Sequence, residues 1–157
     1  MPDRAMNLRD AVDLLQATPL FANIEPSKLK LLAYASDEAR FCTGDTLFVQ
    51  GGASDVAYVI AEGEVEVTWE GPHGASVLAR LGQHEVVGEI ALLAGVPSMT
   101  TVVARSPLVA LRIKGDLFVK MIEEYPRIAV AIIRELARVI GETAARLETA
   151  TEEVAAD

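Results

Sequence analysis

The fold of this chain is decided by the stretch Val87-Gly88-Glu89-Ile90-Ala91-Leu92-Leu93-Ala94-Gly95-Val96-Pro97-Ser98-Met99-Thr100-Thr101-Val102. A glycine and a glutamate open a short apolar helical turn, and a loop marked by glycine and proline then leads into a β-branched strand. Unpaired backbone N–H groups at such a turn, next to one carboxylate, suit a ligand that contains a phosphorylated sugar. We therefore expect a ligand site here.

The composition predicts one globular domain. The chain has 157 residues, of which 51% are hydrophobic and 24% charged, which is enough for one sizeable core and too few for two ordinary domains. No apolar run reaches the roughly 18 residues that a membrane span needs, and residues 1–6 lack the apolar core of a signal peptide. We therefore expect a cytoplasmic protein with no membrane partner.

Charge and cysteine usage narrow the function classes. The net charge is −9, from 14 basic and 23 acidic residues. Because nucleic-acid binding normally needs a basic face, DNA is not expected as a partner. The single cysteine, Cys42, excludes an internal disulfide framework, and we expect it to be a half-buried core thiol.

The hydrophobic periodicity predicts helices, then about eight short strands, then helices again. Helices are expected over residues 8–17 and from Pro26, within about 8–38. Period-two strands separated by glycine turns follow over about 39–113, and helices return over about 115–150. Segregated elements of this kind indicate an α+β fold with an antiparallel sandwich or roll, and we expect one domain over residues 1–157.

Three motifs resemble the cyclic-nucleotide-binding domain family, and the order of the predicted elements resembles that fold over about residues 8–147. The motifs are Phe41-x-x-Gly44-Asp45-x-Leu47-Phe48-x-Gln50-Gly51, Tyr58-Val59-Ile60-x-x-Gly63-x-Val65-x-Val67 and Gly88-Glu89-Ile90-Ala91-Leu92-Leu93. The resemblance implies an antiparallel β-roll, or double-stranded jelly roll, flanked by N-terminal helices and a long C-terminal helix. The predicted roll resembles the regulatory β-roll of cyclic-AMP receptors, and this resemblance implies cAMP or cGMP as a possible ligand.

By this resemblance, Glu89 accepts a hydrogen bond from the ribose 2′-hydroxyl. The backbone N–H groups of Ile90 and Ala91 would face the cyclic phosphate, and Gly88 would let the backbone approach the ligand. The alternative is that Gly88 and Glu89 form only a turn and a helix-starting carboxylate.

The resemblance fails at one important position. The family usually has an arginine after the cassette proline, and here the residue is Ser98. Ser98, Thr100 and Thr101 can donate hydroxyl hydrogen bonds but supply no charge, and Thr101 falls on a polar position that touches phosphate in several relatives. Arg80 or Arg105 could replace the missing cation, although we expect both to be solvent-facing strand residues.

The last predicted helix has a heptad seam that suits a homodimer. Cyclic-AMP-responsive transcription factors use this helix to dimerise and to cap the adenine, and Thr143 falls on a threonine that contacts the base in them. It is equally a tolerated small polar residue of the seam. Ala144 replaces a serine that those factors provide from the partner subunit. The seam comprises Ile133, Leu136, Ile140, Thr143, Leu147 and Ala150.

Two function hypotheses follow. The first is a stand-alone sensor module that binds a ligand in the roll and signals through its C-terminal helix to a possible effector protein. The second is a degenerate, non-binding domain that acts by dimerisation or protein interaction. An enzyme is not expected, because His73 and His84 lie in separate loops and no catalytic or metal-binding constellation is present.

Overall fold

The computed structural model describes the backbone of residues 5–156 and the side chains of residues 5–149 and Thr151. Its helices are α1 (Leu8–Ala17), α2 (Pro26–Tyr34), α3 (Glu89–Ala94), α4 (Gly115–Glu124) and α5 (Pro126–Ala156), with a 3-10 turn at Pro19–Phe21. Its strands are β1 (Asp37–Phe41), β2 (Thr46–Phe48), β3 (Val56–Glu62), β4 (Val65–Gly71), β5 (Gly74–Leu81), β6 (Val86–Val87), β7 (Thr101–Ala104) and β8 (Leu108–Lys114).

The eight strands form two antiparallel four-stranded sheets, which confirms the predicted α+β roll. Sheet A has the order β1-β8-β3-β6 and sheet B the order β2-β7-β4-β5. The alternating residues of both sheets meet in one apolar core that includes Phe48, Tyr58, Val65 and Val102. The Tyr58 ring lies edge-on to Phe48, with ring centroids 5.5 Å apart, and this contact joins the two sheets.

The N-terminal helices begin where the sequence predicts. Asn7 caps α1: its side-chain oxygen accepts from the Asp10 N–H at 2.8 Å, and the Asp10 carboxylate accepts from the Asn7 N–H at 3.2 Å. Such a reciprocal pair satisfies two of the N–H groups that a helix start leaves open. Phe21, in the turn after α1, packs edge-on against Phe118 of α4 with a centroid distance of 6.3 Å.

The structure adds one strand that periodicity could not indicate and corrects two local expectations. The added strand, β6, has only two residues, too few for a periodicity signal. α5 continues to Ala156 rather than ending near residue 150. Cys42 is exposed rather than half-buried, because it lies in the turn after β1, where its N–H donates to the Asp45 carboxylate at 2.7 Å.

The chain divides into two compact units, Met1–Met121 and Ile122–Asp157. The first holds the roll, the N-terminal helices and most of α4. The second consists mainly of α5. The prediction of a single domain over the whole chain stays a prediction. Among the described residues, no helix has both the length and the apolar character that crossing a bilayer requires.

Candidate functional site

The site begins at Gly88, the residue that directly follows β6. Val87 pairs with Tyr58 on β3, so the strand before the glycine is fixed to the centre of sheet A. Gly88 has φ +93°, a left-handed backbone conformation that residues other than glycine rarely adopt. A Cβ atom on Gly88 would lie 2.4 Å from Cζ of Phe48 and 3.1 Å from the Val56 carbonyl oxygen. The core therefore requires glycine here.

Gly88 is the N-terminal cap of α3, and Glu89 is the first residue of that helix. The first backbone N–H groups of a helix have no partner within it, and they include those of Ile90 and Ala91. Glu89 and Ile90 are half-buried, whereas Ala91 is buried. The structure thus places the four residues predicted to form the opening of the cassette in one tight turn.

A second left-handed glycine ends α3. Gly95 has φ +69°, and the next N–H, that of Val96, donates to the Ala91 carbonyl oxygen at 3.1 Å. This arrangement is typical of helix C-termini and satisfies carbonyl groups that the helix leaves open. We call residues 88–95 the cassette opening and residues 97–101 the cassette tail.

Ser98 anchors the cassette tail to the β2–β3 loop. Its N–H donates to the Gly52 carbonyl oxygen at 2.9 Å, and its carbonyl oxygen accepts from the Gly51 N–H at 2.7 Å. Its hydroxyl donates to the Thr100 carbonyl oxygen at 2.7 Å, and the residue is only 7% exposed. The position at which the family resemblance predicts an arginine is therefore occupied by a buried serine, and the hydroxyl of this serine already donates a hydrogen bond within the protein.

Gln50 completes this network from the other side. Its backbone N–H donates to the Thr101 hydroxyl at 3.0 Å. Its side-chain amide takes the place of a neighbouring strand for Glu70: Nε2 donates to the Glu70 carbonyl oxygen at 3.0 Å, and Oε1 accepts from the Glu70 N–H at 2.7 Å. Thr101 still has its own proton to donate, because its oxygen acts here as an acceptor.

Arg80 and Arg105 are engaged with a buried carboxylate. Arg105 donates to Glu66 at 2.8 Å, and Nε of Arg80 lies 3.5 Å from the other oxygen of the same carboxylate. The pKa of Glu66 lies below its ordinary value, chiefly because Arg105 donates this hydrogen bond, although burial opposes the shift. Both arginines are exposed, as expected, but Arg105 lies just after β7 rather than in a strand. Each also has a partner on β4 that the sequence does not indicate.

The other residues predicted from the sequence lie away from the cassette. Thr143 is exposed on α5, and its hydroxyl donates to the Val139 carbonyl oxygen one turn earlier, at 2.8 Å. Ala150, at the end of the seam, lies outside the described side chains. Among the described residues, no group of three His, Cys, Asp or Glu side chains is arranged to hold a metal ion.

Sequence reasoning missed Phe48, Gln50 and Glu66 as residues that shape the site. The first two were visible in the motif around Gly51, where their types were noted without a role. Glu66 lies in a strand with period-two alternation, and nothing local distinguishes a buried glutamate there from an exposed one.

A separate groove of about 580 Å³ lies between α1 and sheet A. None of the cassette residues lines it. Its polar lining includes Asp10, Asp13, Glu38, Arg40 and Glu62.

Comparison with known proteins identifies the fold. The family model of the cyclic nucleotide-binding domain matches residues 38–125, so the chain belongs to this family. It is 25% identical over 132 residues to a "CRP-like cAMP-activated global transcriptional regulator" of Mycobacterium tuberculosis, an alignment that covers 83% of this chain and 59% of that protein. The chain thus spans about three fifths of that relative.

Two solved structures share the architecture. The catabolite activator protein of Thermus thermophilus superposes with a TM-score of 0.75 at 25% identity, covering 85% of this chain and 63% of that one. The second is the regulatory subunit of a cAMP-independent protein kinase A from Trypanosoma brucei, a triple mutant bound to cAMP in its A site. It gives a TM-score of 0.74 at 21% identity, over 82% of this chain and 46% of that one.

Proposed function

We propose that this chain, as a member of the cyclic nucleotide-binding domain family, is a regulatory module that binds cAMP, cGMP or a related ligand at the cassette opening. The proposal rests on one observation: Gly88 adopts a left-handed conformation against Phe48 and starts α3 with Glu89. This places a carboxylate and open backbone N–H groups in the same turn, as the family's ligand site requires.

The residues proposed to contact the ligand lie in the opening and in the tail, and the tail offers only uncharged hydroxyl groups. Glu89 would accept from the ribose, and the N–H groups of Ile90 and Ala91 would face the phosphate. Thr100 and Thr101 are both half-buried and would donate from their hydroxyls. Ser98 can contribute only if its hydroxyl leaves the Thr100 carbonyl oxygen.

α3 and α4 are packed so closely that a movement of α3 would also displace α4. A Cβ atom on Gly115, the first residue of α4, would lie 2.5 Å from Cδ1 of Leu92 and 2.7 Å from the Asp55 carbonyl oxygen. The Gly115 N–H donates to that same oxygen at 2.8 Å. Since Phe118 of α4 also packs on Phe21, a shift of α3 would be felt along α4 and in the N-terminal turn. A ligand that contacts α3 in one state only would bias these elements.

The output would be read through α5, which we propose forms a homodimer. Ile133, Ile140 and Leu147 are each more than 60% exposed and lie on one stripe. A contiguous exposed apolar stripe usually marks an interface, and a two-fold axis lets the same stripe serve both subunits. An aspartate in place of Ile140 would put a charge into the middle of the seam.

Light scattering on the wild type, Ile140→Asp and a matched control tests this dimer. Ala145→Asp is the control, because residue 145 is exposed and lies on the opposite side of the helix from residue 140. We expect a dimeric wild type, a dimeric Ala145→Asp and a shift of Ile140→Asp toward monomer. A monomeric wild type at about 50 μM, where a dimer of low-micromolar affinity would be populated, would contradict the proposal.

A second candidate function is a degenerate module that keeps the fold and acts only through protein contacts. Ser98 favours it, because this residue is buried and supplies no charge. The Trypanosoma brucei neighbour offers a parallel: its parent protein is described as cAMP-independent, and one of the three substitutions in the cAMP-bound mutant replaces threonine with arginine.

Isothermal titration with cAMP and with cGMP separates the two candidates. If the first is correct, heat of binding is observed and Glu89→Ala abolishes it, because the opening then carries most of the recognition. Glu124→Ala, at the end of α4, serves as a control that should bind like the wild type. Absence of binding in the wild type favours the degenerate module, and unchanged binding in Glu89→Ala would place the ligand outside the cassette.

A further inference from the structure

Sheet B ends in a long strand with one open side. β5 is the last strand in the order β2-β7-β4-β5, and with eight residues it is longer than the other three edge strands of the roll, which have two to five. The open side of an edge strand presents unpaired N–H and C=O groups that can pair with another strand. Proteins often block such edges with charged residues, above all lysine, or with proline. β5 contains no lysine and no proline, and its single charged residue is Arg80.

The exposed part of this edge includes two apolar residues at a β-bulge. The register runs from Val67↔Ala79 to Thr68↔Val77 and therefore skips Leu78. Residues 74–78 are all exposed, and among them Val77 is 55% and Leu78 57% exposed.

The hairpin that carries this edge is held firmly beyond the end of β7. The Gln50 amide bonds both backbone groups of Glu70. The Trp69 ring covers Gly71 so closely that a Cβ atom there would lie 2.3 Å from the ring. A strand fixed in this way loses little conformational entropy when it pairs.

We propose that β5 pairs antiparallel with β5 of a second copy of this chain, joining two B sheets into one. If Val77 faces Leu78 of the other copy, then Arg80 faces Ala75 of that copy. Ala75 pairs with Glu70 on β4, so Glu70 of the second copy lies on the same face, about 10 Å or two strand spacings from Arg80. The side chains of an arginine and a glutamate together span this distance.

The charges of Arg80 and Glu70 suit such a contact. Arg80 is 66% exposed and lies 3.5 Å from Glu66, farther than Arg105 at 2.8 Å. An arginine has five N–H donors, so Arg80 keeps donors for a second carboxylate. Glu70 is exposed, and its carboxylate is in none of the ion pairs found within the part of the chain that the structure describes. The two-fold axis would create two Arg80–Glu70 pairs.

The test uses the full chain carrying Ile140→Asp, so that the proposed α5 contact does not contribute. Sedimentation velocity should show that this protein still self-associates. Glu70→Arg and Arg80→Glu should each weaken self-association by about tenfold, from two lost pairs and new repulsion, and the double variant should restore it. Glu62→Arg reverses an exposed charge on sheet A and should leave it unchanged.

Val77→Lys tests the pairing without altering either proposed ion-pair partner, since Val77 pairs with Thr68 on β4 rather than with Glu66 or Glu70. It should abolish pairing, because a lysine on an edge strand opposes strand addition. A monomeric Ile140→Asp protein at about 100 μM, a concentration at which even weak pairing is populated, would overturn the proposal. So would a double variant that is no better than the single ones, or a Val77→Lys protein that still pairs. None of these results depends on nucleotide binding.

Discussion

The two halves of the cassette are held in place by different forces. In the opening, the left-handed Gly88 packs on the Phe48 ring and permits no side chain. In the tail, Ser98 makes three hydrogen bonds, two through its backbone to the β2–β3 loop and one through its hydroxyl to Thr100. Close packing fixes the opening whatever the ligand, whereas in the tail the polar groups of Ser98 are bonded by the protein itself. This difference explains how the chain can keep the family's turn and lack its charged contact.

Gly88→Ala should break the opening and have the largest effect. The new methyl group would clash with Phe48 and keep a strained φ, and together these effects should lower the free energy of unfolding by about 3 kcal/mol. Urea denaturation measures the change. Gly74→Ala is the matched control, because Gly74 has a similar φ of +105° but no atom within 4 Å of the added Cβ.

The control should therefore show the strain alone, with a loss of about 1 kcal/mol. Equal losses in the two variants would mean that contact with Phe48 does not constrain the opening.

Ser98→Arg should raise the affinity for cAMP, because it adds to the tail the positive charge that the tail lacks. A guanidinium at this position can bind phosphate oxygens through two hydrogen bonds, and we expect cAMP affinity to rise at least about tenfold, which corresponds to about 1.4 kcal/mol. Titration calorimetry measures it. Ser98→Gln is the control: it also breaks the bond to Thr100 but brings no charge.

An equal gain in both Ser98 variants would show that releasing the tail, rather than charge, limits binding. No gain in either would mean that the tail closes the phosphate position or that another cation already occupies it.

The sequence was sufficient to predict the fold because its signals are local. Glycine turns and period-two alternation marked seven of the eight strands, and Asn7 and Pro26 lie at the starts of α1 and α2. Periodicity did not identify β6, because a strand of two residues is too short to show alternation. Its position follows instead from pairing with Tyr58 and Val59 across the sheet, and the sequence alone does not reveal that pairing.

The site was only partly predictable, because its opening depends on neighbours in sequence and its tail on partners far along the chain. Gly88 and Glu89 could be found from the motif. The hydrogen bonds of Ser98 reach Gly51 and Gly52, nearly fifty positions away, so the sequence could show that an arginine is absent but not what replaces it. The partner of Arg105 is similarly remote, since Glu66 lies on β4 and Arg105 just after β7.

The smallest expected effect concerns Arg105, the cation that could have supplied the tail with charge. Because Arg105 lowers the pKa of Glu66 below its ordinary value near 4.5, ionised Glu66 stabilises the fold above that value. This stabilisation is lost as the pH falls through the lower pKa of the folded state. Arg105→Ala should therefore reduce stability at neutral pH, and its difference from the wild type should shrink in acid below pH about 4.5. Denaturation at several pH values measures this difference in stability, and Arg80→Ala should show a smaller one, since Arg80 lies farther from the carboxylate.

Nucleotide affinity, measured in the Ser98→Arg background, should not change when Arg105→Ala is added. If Arg105→Ala instead abolished binding and left the pH dependence of stability intact, the arginine would serve the ligand rather than Glu66, and the tail would not lack a cation after all.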